Sequence, residues 1–286
     1  MDAAHLIILA LKVAIVATVF SYGLEATTSD LLHLVRQPAL LLRSVLAVLV
    51  IMPAIVIAMV KLLDLRTATE ATLVALAISP VPPLLPRKQT KAGGLPSYAL
   101  GLLIVLGLVA VVAIPLAMEV VGRVFDRPFA VSPVAIARIV LVMIVLPLAA
   151  GMIVGGFAPR FAERVQNPVR LSSTAILVVA AVLLLAGSWS AIWTAIGGGT
   201  IVALVAFVLC GLAIGHLMGG PEPEHSTVLA LSTASRHPAI ALTIAAVNFP
   251  NEQFVGLILL YLLISTVVCV PYVVWQRRRS AVPASP

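Results

Sequence analysis

Long apolar runs separated by short polar loops make up almost the whole chain. The pattern reads as nine spans, over about 4–24, 39–63, 68–94, 98–118, 133–156, 171–196, 201–218, 227–249 and 254–275. A helix needs about 20 apolar residues to span the hydrocarbon core, and these runs are far longer than barrel strands. The pattern predicts an all-α integral membrane protein, a single transmembrane domain over 1–286 of about nine spans. Between the first two runs, Ser29 and Asp30 look like the start of a short amphipathic helix. The segment "APRFAERVQNPVR" before the sixth run reads as a basic amphipathic connector.

Two runs are irregular. The third contains Pro80, Pro82, Pro83 and Pro86, followed by Arg87, Lys88, Lys91 and Gly93-Gly94. Proline removes a backbone donor and clashes with the preceding turn, so no continuous helix survives there. A half-helix, a break and a second, polar half-helix are expected. The eighth run carries Ser235-Arg236-His237-Pro238 in its middle. A charge at the bilayer centre costs about 2.5–3.5 kcal/mol even on the lenient insertion scale. Such a break in lipid is tolerated only where protein packs around it or water reaches it.

The two breaks fall at matching places. Runs one to four (4–118) and six to nine (171–275) form two units, with the fifth run (133–156) between them. Each broken run is third in its unit, and a single linking span makes the units an inverted repeat. Proline- or glycine-interrupted segments at corresponding positions of two halves point to a transporter's binding site. The breaks are expected to cross near the midplane, where half-helix N-termini offer free N–H groups.

Composition supports the membrane reading. Of 286 residues 62% are hydrophobic and 10% charged, where a soluble domain carries about 25% charge. The net charge of +7 does not point to nucleic acid, because the charges sit in loops, where they orient the chain. Arg36, Arg43, Arg87, Lys88, Lys91, Arg160, Arg164, Arg170 and Arg277 to Arg279 fall on one side, against Lys61, Arg66, Arg123, Arg127 and Arg138 on the other. The excess places the C-terminus and its basic tail, 276–286, in the cytoplasm and the N-terminus outside. The start of the chain lacks the basic region and cleavage site of a signal peptide, so the first run is expected to stay. Lys12 lies inside it and is given no function. Cys210 and Cys269 lie in apolar runs and read as packing residues. His5, His33, His216 and His225 have no metal-ligand spacing. Gly197 to Gly199 lack the following Lys-Ser/Thr of a phosphate loop. No acid lies near His237 to complete a catalytic triad, and no enzyme is expected.

The polar residues at the breaks carry the candidate chemistry. Arg236 offers a planar five-donor fork suited to a carboxylate, sulfonate or phosphate. The competing reading makes it a structural counter-ion and Pro238 an ordinary kink. His237 could couple protons to transport, or pack as a neutral ring. Ser232, Thr233 and Ser235 could line a site, or satisfy backbone groups freed by the break. Arg87 and Lys88, with Lys91, could draw anions into a cavity, bind lipid phosphate or anchor the inner face. All 11 acidic residues lie at span ends or in loops, so no deep carboxylate is available to a hard cation.

At "FSYGLEATTSDLLHLVRQP", the proline-rich third run and "LALSTASRHPAIALTIAAVNF", the chain resembles the bile acid:sodium symporter family in its nine-span form. The resemblance follows span order over nearly the whole chain. It implies a core of spans two to four and seven to nine, a panel of spans one, five and six, and a small or amphipathic organic anion bound between them. It also implies a bacterial inner membrane. The family's first crossover typically reads Gly-Gly-Thr-Ala-Ser-Asn, where this chain has Val81-Pro82-Pro83-Leu84-Leu85-Pro86. The family's second-crossover Glu falls on Ser232, and its Gln-Asn pair on Arg236-His237. The sodium-ligating side chains are mostly missing, so sodium coupling is expected to be weak or absent and no cofactor is expected. The expectation is a secondary carrier of an organic anion working by alternating access. A membrane ligand sensor of the same fold, or an anion channel, is the alternative.

Overall fold

The computed structural model describes residues 3–126 and 128–281. Arg127 and the tail residues 282–286 lie outside them. All elements among the described residues are helices. They are α1 (Ala3–Glu25), α2 (Thr28–Leu32), α3 (Pro38–Leu62), α4 (Thr67–Ile78), α5 (Leu85–Lys91), α6 (Pro96–Val124) and α7 (Pro133–Phe157). There follow α8 (Pro159–Gly187), α9 (Trp189–Ala195), α10 (Thr200–Met218), α11 (Pro223–Ala234), α12 (Pro238–Asn248) and α13 (Val255–Ala281). Among the described residues, α1, α3, α6, α7, α8, α10 and α13 are long and apolar enough to cross a membrane. The irregular third and eighth runs are each two short helices around a break, α4 with α5 and α11 with α12.

Three local features differ from the sequence expectation. The short helix after α1 is capped by Thr27, one turn before Asp30, whose carboxylate accepts the Thr27 N–H at 2.9 Å. This reciprocal cap satisfies two end donors at once. The basic connector and the sixth run are one helix, α8. An amphipathic segment flanking an apolar one keeps the same helical period, and Pro168 bends no boundary there. The end of the sixth run, 189–195, is a separate helix, α9.

Proline also reshapes α3 and α7. Residues Ala47–Ile51 and Leu141–Val145 form single π-helical turns, just before Pro53 and Pro147. The Met52 N–H reaches back to the Ala47 carbonyl, five residues away. The Val48 carbonyl is left over, because Met52 is spent and its own fifth-residue partner, Pro53, has no N–H.

Packing sorts the helices into two groups. The helix α1 packs along α7 and α8. The larger group brings α3, α4, α5, α6, α10, α11, α12 and α13 together, and α6 meets α7 at the seam. Between α10 and α11 the backbones nearly touch. A Cβ on Gly215 would run into the Leu229 carbonyl and the Ala230 backbone, and Gly211 and Gly219 press on α11 in the same way. Small residues at four-residue spacing are what lets membrane helices approach this closely. The smaller group uses the same device, since Gly23 of α1 lies against Gly151 of α7.

Candidate functional site

The breaks meet in the larger group, and the prolines explain how they are joined. The Ser79 carbonyl ends α4, and both residues that could donate to it in a continuing helix, Pro82 and Pro83, lack an N–H. Together with Val48 this leaves two buried carbonyls without a helical donor. A single nitrogen, Nη1 of Arg236, donates to both, at 3.1 Å each. The neighbouring His237 N–H donates to the Pro80 carbonyl at 2.8 Å. A guanidinium at the C-terminal end of α4 also complements the partial negative charge of that helix end.

The second break is built as tightly. The Arg236 N–H donates to the Tyr261 hydroxyl at 2.7 Å, and that hydroxyl donates to the Ala234 carbonyl at the end of α11. The His237 Nδ1 accepts the Ile240 N–H at 3.4 Å and so caps α12. An accepting Nδ1 leaves the ring proton on Nε2. His237→Asn, which keeps a good N-cap, is expected to be nearly neutral in thermal unfolding, whereas His237→Ala is expected to cost about 1 kcal/mol. Equal loss in both variants would mean that the imidazole is needed for more than the cap.

Pro80, Pro82 and Pro83 lie in the break between α4 and α5. Pro86 lies inside the first turn of α5 and Pro238 opens α12. These are places where a missing N–H breaks no bond.

Arg236 is 1% exposed, and Ser232, Thr233, Ser235 and His237 are buried with it. None of them lines either of the two cavities described below. The Thr233 hydroxyl donates to the Leu229 carbonyl within its own helix. Ser232 Oγ accepts from Gln89 Nε2 at 2.7 Å, and the same amide donates to the Val228 carbonyl. Gln89 thus ties α5 to α11. The Nε and Nη2 atoms of Arg236, together one edge of the guanidinium, have no partner among the described residues, and neither has His237 Nε2.

A cavity of about 500 Å³ lies between the two groups of helices. Arg87, Lys88 and Lys91 of α5 line it with Arg277 of α13, opposite Thr18 of α1 and Thr174 of α8. Leu84, Leu177, Val270, Val273 and Val274 form its apolar walls. Arg87 Nη1 donates to Thr174 Oγ1 at 3.0 Å across the seam, and Arg277 Nε donates to the Lys91 carbonyl at 2.6 Å. Among the described residues the ion pairs are Arg123–Glu119 and His225–Glu222, so none of the cavity's four cations forms one, and Glu25 acts on Arg87 only through space. A smaller cavity of about 160 Å³ lies toward the start of α4 and the end of α12, lined by Glu70, Phe125, Phe129, Asn248 and Phe249 among others. The crossing lies between the two cavities along these broken helices.

The crossing does not fit a sodium ion held by side chains. A hard cation takes oxygen ligands. Here Nη1 of Arg236 occupies two carbonyls and His237 N–H a third, and no Asp or Glu is buried among the described residues.

The sequence missed several members of this arrangement. Arg277 was grouped with the basic tail, and Thr18, Thr174, Gln89 and Tyr261 are ordinary residues of amphipathic or apolar helices. Only Pro82 and Pro83 signalled a carbonyl, that of Ser79, that would need a donor.

No curated protein matches the chain. Residues 12–195, more than half of its length, match the sodium bile acid symporter family. The broken helices, the apolar spans and this match together establish that the chain is an integral membrane protein of the sodium bile acid symporter family, with the transporter role that membership carries.

Proposed function

We propose that the protein is a secondary carrier of an amphipathic organic anion, working by alternating access between the two groups of helices. The observation that carries this reading is the cavity lined by Arg87, Lys88, Lys91 and Arg277 at the seam between the groups, none of them in an ion pair among the described residues. Its volume lies in the range that holds a small organic ligand. Its cationic end suits a carboxylate, sulfonate or phosphate, and its Leu and Val walls suit an apolar body. In this reading the nine-span count holds, with α4–α5 and α11–α12 as the third and eighth spans. The inverted repeats cover 4–118 and 171–275, and the basic cavity faces the cytoplasm of a bacterial inner membrane. The unpartnered Nε–Nη2 edge of Arg236 is the position a headgroup reaches when the groups move apart. Sodium does not drive the cycle, since the crossing lacks a carboxylate.

The test is uptake of labelled organic anions, bile-acid-like and small carboxylates, into proteoliposomes under a sodium gradient, a proton gradient or neither. Saturable uptake is expected, and Arg87→Gln combined with Arg277→Gln is expected to raise KM by about tenfold or more, the effect of losing charge-assisted hydrogen bonds. Unchanged KM in that variant would move the anion site elsewhere. Stoichiometric binding without flux would replace the carrier by a ligand sensor.

A further inference from the structure

We infer that Arg236 is a resident cation, which gives the crossing of the two breaks the positive charge that a bound metal ion would otherwise supply. This goes beyond the transported anion and concerns what holds the crossing together. Prolines remove the donors of two carbonyls. Pro53 strips the Val48 carbonyl of its π-turn partner, and Pro82 and Pro83 strip the Ser79 carbonyl of both helical partners. Two bare carbonyls on two different helices then face one buried point. A monovalent cation would satisfy them through oxygen coordination. A guanidinium nitrogen with two hydrogens satisfies them by donation, and Nη1 of Arg236 does so at 3.1 Å to each.

The charge is also the right one for the place. The Ser79 carbonyl is the negative end of α4, and the hydroxyls nearby are committed elsewhere. Ser79 Oγ donates to the Ala75 carbonyl and Thr233 Oγ1 to the Leu229 carbonyl. A permanent cation at this point leaves no role there for a second. An added sodium ion would lose its oxygen ligands to Nη1 and meet a like charge. The crossing is therefore assembled at all times and needs no ion from solution.

The test uses the full chain in detergent, without substrate, so its failure is separate from any failure of the carrier reading. Thermal unfolding of the wild type is compared in sodium chloride and choline chloride at equal ionic strength. The same Tm is expected in both, and a higher Tm in sodium would overturn the inference. Arg236→Ala removes the cation and leaves the carbonyls facing a void. Millimolar guanidinium chloride is expected to raise the Tm of this variant by about 5 °C, while it leaves or lowers that of the wild type. A folded Arg236→Ala that guanidinium does not stabilise would overturn the inference. Should that variant not fold, Arg236→Lys carries the second arm. It keeps a donor-rich cation and is expected to unfold at the same temperature in sodium and choline chloride. A Tm for Arg236→Lys that rises with sodium would overturn the inference.

Discussion

Arg236→Met is expected to lose most of its folded yield and all measurable uptake, although methionine fills much of the same volume and suits lipid better. The change deletes the donor shared by the Val48 and Ser79 carbonyls, which have no other partner to turn to. A buried polar group left unpaired costs about 1–3 kcal/mol. Two of them amount to about 2–6 kcal/mol, a large share of the roughly 5–15 kcal/mol that holds a typical domain together. Arg236→Lys keeps the charge and three rotatable donors, so it is expected to fall between Met and the wild type. Detergent unfolding midpoints, with size-exclusion profiles, measure the order. A Met variant as stable as the wild type would show that the crossing closes without the guanidinium.

Gly215→Val is expected to be equally severe for a different reason. The site has no room for even one carbon, because the Leu229 carbonyl and the Ala230 backbone already occupy it. Rigid backbone cannot swing away as a long side chain can, so α10 and α11 must separate. Overpacking typically costs about 1–3 kcal/mol, and more where backbone has to shift. Since α11 carries Ala234 and leads directly into Arg236, the displacement reaches the crossing. Gly156→Ala in α7 is the control, because nothing lies within 4 Å of the added carbon. It is expected to be neutral or slightly stabilising through helix propensity. Equal losses in the two variants would mean that glycine matters for chain flexibility and not for close approach.

These two residues also show how far the sequence could be read. The breaks were legible at Pro80, Pro82, Pro83 and Pro238, because a missing N–H is a property of the residue alone. The membrane-crossing helices were legible because apolar length is a one-dimensional quantity. What Arg236 bonds was not legible. No acidic residue stands near Arg236 in the sequence, while the structure supplies main-chain carbonyls, which carry no sequence label. The Val48 carbonyl was the hardest to foresee. It is free only because a π-turn precedes Pro53, and the apolar text around it looks like any other span. Arg277 reached the basic cavity because α13 continues as helix beyond the apolar run, past the point where the sequence suggested a tail. Thr174 was hidden at the edge of a run that the structure extends backward into a single helix, α8.

A charge fixed in the chain has an energetic consequence for direction. A cation that enters and leaves with each cycle lets a carrier draw on that ion's gradient, whereas Arg236 never leaves. For the proposed carrier, when neither sodium nor a proton crosses with the substrate, only the anion's own electrochemical gradient drives the cycle. One elementary charge in a membrane potential of 100 mV is worth about 2.3 kcal/mol, which is about 50-fold in concentration. In a membrane that is negative inside, a monoanion is therefore pushed outward until its external concentration exceeds the internal one by about that factor. The proposed carrier, working uncoupled, would clear monoanions from the cell and admit them only from a strongly loaded exterior.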